Sequence, residues 1–208
     1  MTAAPRTRLS PDERREQLLD LGVRLLAHRS LDELSIDLLA EQAGISRGLL
    51  YHYFGSKQAF HEAVVRHAAD DLVAQTTPPT DGDPMERLLA SVTAYVDYVV
   101  ANHEGYVSLV KAAAGGNESL RAIYEDARSA LNGRIFREDL RGEILVDTPV
   151  NRLVVRGWSA MVEELVLSWI DDPHGVGRDE LLAIITGSLP AVVDVVAPGV
   201  ATKVSTEG

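Results

Sequence analysis

The sequence predicts an all-α protein of about nine helices. Three observations carry this. No strand-like alternation of apolar and polar residues lasts more than a few positions. Apolar residues instead recur at spacings of three, four and seven. Helix-start signals also recur along the chain, each an N-cap residue followed by Pro or by an acid three positions on.

The helices follow in order. Ser10-Pro11-Asp12-Glu13 is a capping box with Pro at the first helical position, and it opens a helix over 10–28. Leu18, Leu19, Val23, Leu25 and Leu26 share its apolar side. Ser35 caps a short helix over 35–42, Gly44 allows a tight turn, and Ser46 caps a second short helix over 46–53. A longer helix spans 57–75. The polar stretch 76–82 is the clearest linker. Asp83-Pro84-Met85-Glu86 opens a helix over 84–102 with Leu88, Val92, Tyr95 and Val99 on one face. A further helix runs over 104–114, stops at Gly115-Gly116, and Asn117 caps the next over 118–141. Thr148-Pro149 opens 149–171, and 178–196 completes the set, with a frayed tail expected after Pro198.

A chain of 208 residues with 46% hydrophobic and 25% charged residues buries a core without staples. It contains no Cys, which excludes disulfides, thiolate metal sites and a Cys nucleophile. The first residues carry no apolar run after their arginines, so no signal peptide is expected and a cytoplasmic location is. The net charge of −11 argues against a protein coated in positive charge. That charge is unevenly placed. Residues 1–57 hold eight Lys/Arg and eight Asp/Glu, so the whole excess of acid lies beyond Lys57. Two modules with different partners are expected.

Helix, Gly-containing turn, helix over 35–54 is the helix-turn-helix pattern. Ala40, Ala43 and Ile45 are small or apolar where the two helices meet, and Leu39, Leu50 and Phe54 face the first helix. The second helix has an unusual outer face: Arg47, Gly48, Tyr51, His52, Tyr53, then Lys57, with no acid between Arg47 and Lys57. Cations and aromatic hydroxyls suit phosphate oxygens and base edges. Gly48 permits close backbone approach, and Lys57 joins helix-start N–H groups against a phosphate. The plainer alternative is a solvated turn over core aromatics, and Tyr51 alone fits that equally well.

The run from Ile36 to Lys57, with its Ala43-Gly44 turn, its Leu50-Tyr51 and Phe54 core and its Ser56-Lys57 helix start, resembles the DNA-binding module of the TetR family of bacterial repressors. The resemblance covers about 10–70. It implies a DNA-binding domain over 10–75 and a ligand-binding and dimerisation domain over 83–198. It implies that Ser35, Ser46, Arg47, Gly48, Leu49, Tyr51, His52, Tyr53 and Lys57 lie in or beside the DNA-facing surface. Many members have Tyr-x-His where this chain has Tyr51-His52-Tyr53. Many also carry Thr where Ile36 stands, so that position has no hydroxyl for a phosphate. Arg6 and Arg8 are a solvated tail with weak electrostatic help, or reach an adjacent groove.

Beyond 84 the resemblance is architectural and implies an effector site and a homodimer interface. Helices 149–171 and 178–196 are apolar nearly all round and must be covered on every side. A two-fold four-helix interface covers them, with Leu165, Trp169, Ile185, Leu189, Val192 and Val196 as its expected members; a large monomeric core is the alternative. Pro190, Asp194 and Pro198 interrupt 181–200, so it is not expected to span a membrane. Tyr95, Tyr106, Leu109, Tyr124, Trp158 and Met161 are the candidates for contact with a mainly apolar effector.

Enzyme signatures fail. Gly157-Trp158-Ser159-Ala160-Met161 lacks the second Gly of a nucleophile elbow. Gly175-Val176-Gly177 lacks the third Gly of a dinucleotide loop. His61 and His67 are wrongly spaced for a zinc pair. No cofactor or metal is expected. The expected function is ligand-responsive regulation of transcription, as a repressor dimer on a palindromic double-stranded operator. The alternative is an all-helical ligand-binding protein or enzyme without sequence-specific DNA binding.

Overall fold

The computed structural model describes residues 10–138 and 145–196, the side chains of Glu138 and Val196 excepted. Arg6, Arg8, the expected helix end at 139–141 and the tail after 198 lie outside the described residues, as does the Val196 side chain. The described residues form nine helices and no strand: α1 (Pro11–Leu26), α2 (Ile36–Ala43), α3 (Arg47–Phe54), α4 (Lys57–Gln75), α5 (Pro84–Ala101), α6 (His103–Ala114), α7 (Glu118–Glu138), α8 (Pro149–Asp171) and α9 (Arg178–Val196). The fold is all-α.

The helix starts are built as the sequence predicts. Ser10 Oγ accepts from the Glu13 N–H at 3.2 Å while the Glu13 carboxylate accepts from the Ser10 N–H at 2.7 Å. Those hydrogen bonds hold the Glu13 carboxyl below its ordinary pKa. Asp83 caps α5 by accepting from Met85 and Glu86 N–H at 2.8 and 2.9 Å. Asn117 caps α7 and Thr148 caps α8, each at 3.1 Å.

The chain divides into two compact units. The first takes in residues up to Asp70 together with Asn102–Ile123, and the second takes Asp71–Ala101 and the residues from Tyr124 on. The units therefore cut across the linear boundary at 75–83. In the first unit α1 packs on α2 and α2 on α3. Leu18, Leu34, Leu39, Leu50, Phe60 and Val64 are buried there. α6 joins this unit through close packing: the Leu31 N–H donates to Ser108 Oγ at 2.8 Å, and Gly105 lies directly against α1. His61 Nε2 donates to the Leu34 carbonyl at 2.6 Å, and burial holds its imidazole below the ordinary pKa.

In the second unit α9 packs against both α8 and α5. Val155, Trp158, Val162 and Val166 of α8 are buried, as are Leu181, Leu182, Ile185, Leu189 and Val193 of α9. This corrects the expected dimer set. Ile185 and Leu189 are fully buried inside the chain and have no surface to offer a partner. Leu165 and Trp169 are half-buried, and the Trp169 indole donates to the Val176 carbonyl at 2.8 Å. Val192 is exposed, and so are Leu153 at 70%, Met161, Ile184 and Val195 at 81%. The stretch 76–82 is non-helical, yet Thr76 is buried. Its hydroxyl donates to the Leu72 carbonyl at 2.8 Å and accepts from Arg134 Nη1 at 3.2 Å. Arg134 Nη2 donates to the Val73 carbonyl at 2.6 Å, so the end of α4 is capped from α7.

A Cβ at position 105 would stand 2.6 Å from the Leu26 carbonyl oxygen, which is backbone and cannot rotate away. Gly105→Ala is expected to lower unfolding stability by about 1–3 kcal/mol in urea titration. Unchanged stability would mean that α6 does not press on α1.

Candidate nucleic-acid interface

α2, the turn and α3 are fixed by three local devices. Ser35 caps α2, its Oγ accepting from the Leu38 N–H at 3.1 Å. Gly44 ends α2 in the left-handed region at φ 64, where a side chain is strained. Ser46 then caps α3, its Oγ accepting from the Leu49 N–H at 3.3 Å. Both hydroxyls keep a proton to donate elsewhere. Ser56 Oγ accepts from the Ala59 N–H at 3.1 Å, just after Gly55 at φ 76, and so starts α4.

Only Leu50 and Phe54 of α3 are buried. Phe54 meets Phe60 edge-on at 5.2 Å between centroids, and the Arg15 guanidinium lies 5.4 Å over its ring. Arg47, Gly48, Leu49, Tyr51, His52 and Lys57 are exposed, and Tyr53 is half-buried. Tyr51 is 43% exposed and so belongs to the surface rather than the core. The Tyr53 ring stands edge-on to His52 at 5.8 Å. Ile36 is buried, consistent with its lack of a hydroxyl. The result is a continuous exposed face of donors and aromatics on a short helix held from behind.

One residue of this surface escaped the sequence reading. Asp37, in the first turn of α2, stands 2.5 Å from Arg47 Nε through its Oδ1. The acid-free run from Arg47 to Lys57 gives no sign of it, because the pair forms only when the turn brings the two helix starts together. Exposed Asp37 ten positions upstream was its only sequence signal.

The candidate effector residues fall into both units. Tyr106 and Leu109, half-buried, lie in the first; Tyr95, Tyr124, Trp158 and Met161 lie in the second. Trp158 is a buried core residue whose indole N–H donates to Ser188 Oγ at 2.9 Å. Met161 is exposed. Tyr124 is half-buried, donates to Glu163 at 2.7 Å and accepts from Arg128 Nη1 at 3.2 Å. Burial, with Glu163 beside it, pushes the Tyr124 hydroxyl up to about 12. No group of three or more His, Asp or Glu that could hold a metal occurs among the described residues. No helix among them is long and apolar enough to cross a membrane.

A helix-turn-helix presenting such a face, on an all-helical frame, defines a DNA-binding regulator of transcription. Residues 18–64 match the bacterial regulatory proteins of the tetR family, and residues 84–189 match the tetracyclin repressor-like C-terminal domain. The chain belongs to the TetR family of transcriptional regulators. It is similar to a crystal structure of a tetR-family transcriptional regulator from Streptomyces coelicolor, with 33% identity and a TM-score of 0.77 over 90% of this chain and 83% of that one. It is 26% identical over 174 residues to the HTH-type transcriptional activator FasR of Mycolicibacterium smegmatis, covering 83% of this chain and 79% of that protein. It is 39% identical over 87 residues to the HTH-type transcriptional regulator BetI of Burkholderia ambifaria, covering 40% of this chain and 45% of that protein.

Gly48 has no fold-based reason to be glycine, since a Cβ there would meet only Ser46 Oγ at 4.0 Å. Gly48→Ala is expected to raise stability by up to about 1 kcal/mol through helix propensity. It is also expected to weaken binding to DNA, as read by fluorescence anisotropy. A gain in stability with undiminished DNA affinity would show that no partner approaches this backbone.

Proposed function

We propose that the chain works as a cytoplasmic homodimeric repressor that binds a palindromic operator through two α3 helices and is released by a small, mostly apolar molecule. Residues 10–75 serve DNA and 83–198 serve the dimer and the effector. The observation that supports the reading most is the exposed α3 face itself. Gly48, Tyr51 and His52 stand in water on α3 although a stability-driven surface helix would favour Glu, Gln, Ala, Lys and Arg, and Arg47 and Lys57 flank them with positive charge. Ser35, Ser46, Gly48, Leu49 and Tyr53 complete the proposed DNA surface.

Support for a dimer comes from exposed apolar residues on the last two helices. Leu153 and Met161 on α8 and Ile184, Val192 and Val195 on α9 are large apolar side chains open to water. Isologous pairing of two copies buries such a surface. Two linked reading heads also raise affinity for a site of two half-sites one DNA turn apart. Support for an effector comes from the second unit, where half-buried Tyr124 joins Glu163 and Arg128 in a hydrogen-bonded cluster between α7 and α8. The effector must bind the released state more tightly than the DNA-bound one. Repression needs only occupancy of the operator. The relative named an activator supports a second reading, in which the bound dimer recruits the polymerase. Transcription from an operator-bearing promoter, with and without protein, separates the two by the sign of its effect.

Tyr51→Ala combined with Lys57→Ala is expected to weaken operator binding by roughly a hundredfold or more, since two contacts are lost in each half-site. Sedimentation should show the same oligomer as the wild type; unchanged DNA affinity would refute the assignment of this face. Leu153→Lys combined with Val195→Lys is expected to give folded monomers in sedimentation velocity. Persistent dimers would place the interface elsewhere.

A further inference from the structure

We infer that Asp37 is a specificity residue whose carboxylate orients the Arg47 guanidinium for bidentate reading of a guanine in the major groove. This rests on the DNA-binding reading proposed above. Arg47 is the first residue of α3. Residues at the N-terminal end of a recognition helix are the ones that reach base edges. Asp37 Oδ1 lies 2.5 Å from Arg47 Nε, and the contact joins the starts of α2 and α3 across the Gly44 turn.

The pair makes little sense as a stabiliser of the fold. The Arg47 and Asp37 side chains are 63% and 59% exposed, and ion pairs that open to water contribute little. It makes little sense as a phosphate clamp either. A carboxylate beside a phosphate-binding guanidinium neutralises the cation and repels the same phosphate. A base edge has no net charge, so a paired guanidinium keeps its value there. The contact is to Nε, while a bidentate guanine contact uses the two terminal amino groups toward O6 and N7. Pairing at Nε also restricts a side chain with many rotamers before DNA arrives. Asp37 therefore acts as a positioning residue through Arg47.

The test uses the full chain and selection from duplexes with randomised half-sites, with thermal melting to confirm folding of each variant. The wild type is expected to select guanine at one position in each half-site, and Arg47→Ala and Arg47→Lys to lose that choice alone. Asp37→Asn, with Asp37→Ala as a second variant, is expected to lower the guanine preference at that position by roughly tenfold. It should leave other positions unchanged and tighten binding to non-specific duplex. The slope of log affinity against log salt should steepen by about one ion per reading head. In an Arg47→Ala background, Asp37→Asn should no longer alter base preference. An Asp37→Asn variant that keeps the guanine choice, or that loses affinity evenly over all sequences, overturns the inference. A wild type that selects an operator with no position sensitive to Arg47 defeats the inference alone. A wild type that selects no sequence at all defeats the DNA-binding reading and the inference with it.

Discussion

The reading head depends on how little of α3 is used to hold it. Eight residues make barely two turns, too short to be helical alone in water. The helix exists because Ser46 closes its start and because Leu50 and Phe54, one turn apart, are buried behind it. The Phe54–Phe60 ring contact and the Arg15 guanidinium over the same ring lock that anchor from α4 and α1. With both anchors on one side, the remaining side chains have nowhere to go but outward. Presentation of Arg47, Tyr51 and His52 is thus a by-product of a small, well-placed core.

Electrostatics sharpen the same division of labour. A net charge of −11 looks hostile to nucleic acid until its placement is read. The first 57 residues are balanced, and the run from Arg47 to Lys57 carries a cation at each end and no acid, Asp37 of α2 standing beside the first. Charges in water are screened beyond about 10 Å, so the local pattern counts for more than the total. A weakly attractive head binds random DNA modestly, which favours selection by contacts over selection by charge.

Features that depend on neighbours within three or four residues were legible in the sequence. The caps at Ser10, Ser35, Ser46, Asp83 and Thr148 and the Gly44 turn are of this kind, because side-chain oxygen and backbone N–H meet within one turn of chain. Helix spans followed from them. The side of α9 that faces inward was not legible: with apolar residues all round, periodicity does not distinguish Ile185 and Leu189 from Ile184 and Val195. Only packing against α8 and α5 decides it. The same holds for Asp37 and Arg47, whose meeting is set by the angle of the turn, and for Gly105, whose missing side chain is explained by the Leu26 carbonyl at the end of α1, distant in sequence.

The end of α4 is secured in an unusual way for a surface helix. Its last carbonyls are taken by the buried Thr76 hydroxyl and by Arg134, which reaches them from a distant part of the chain. Ordinary helix ends fray within nanoseconds to microseconds, and their amides exchange freely with solvent. Here the final turn is tied to α7 as well, so fraying it also breaks the Arg134 hydrogen bonds and leaves that guanidinium without its carbonyl partner. The last turn of α4 is thus coupled to a helix more than fifty residues further along the chain.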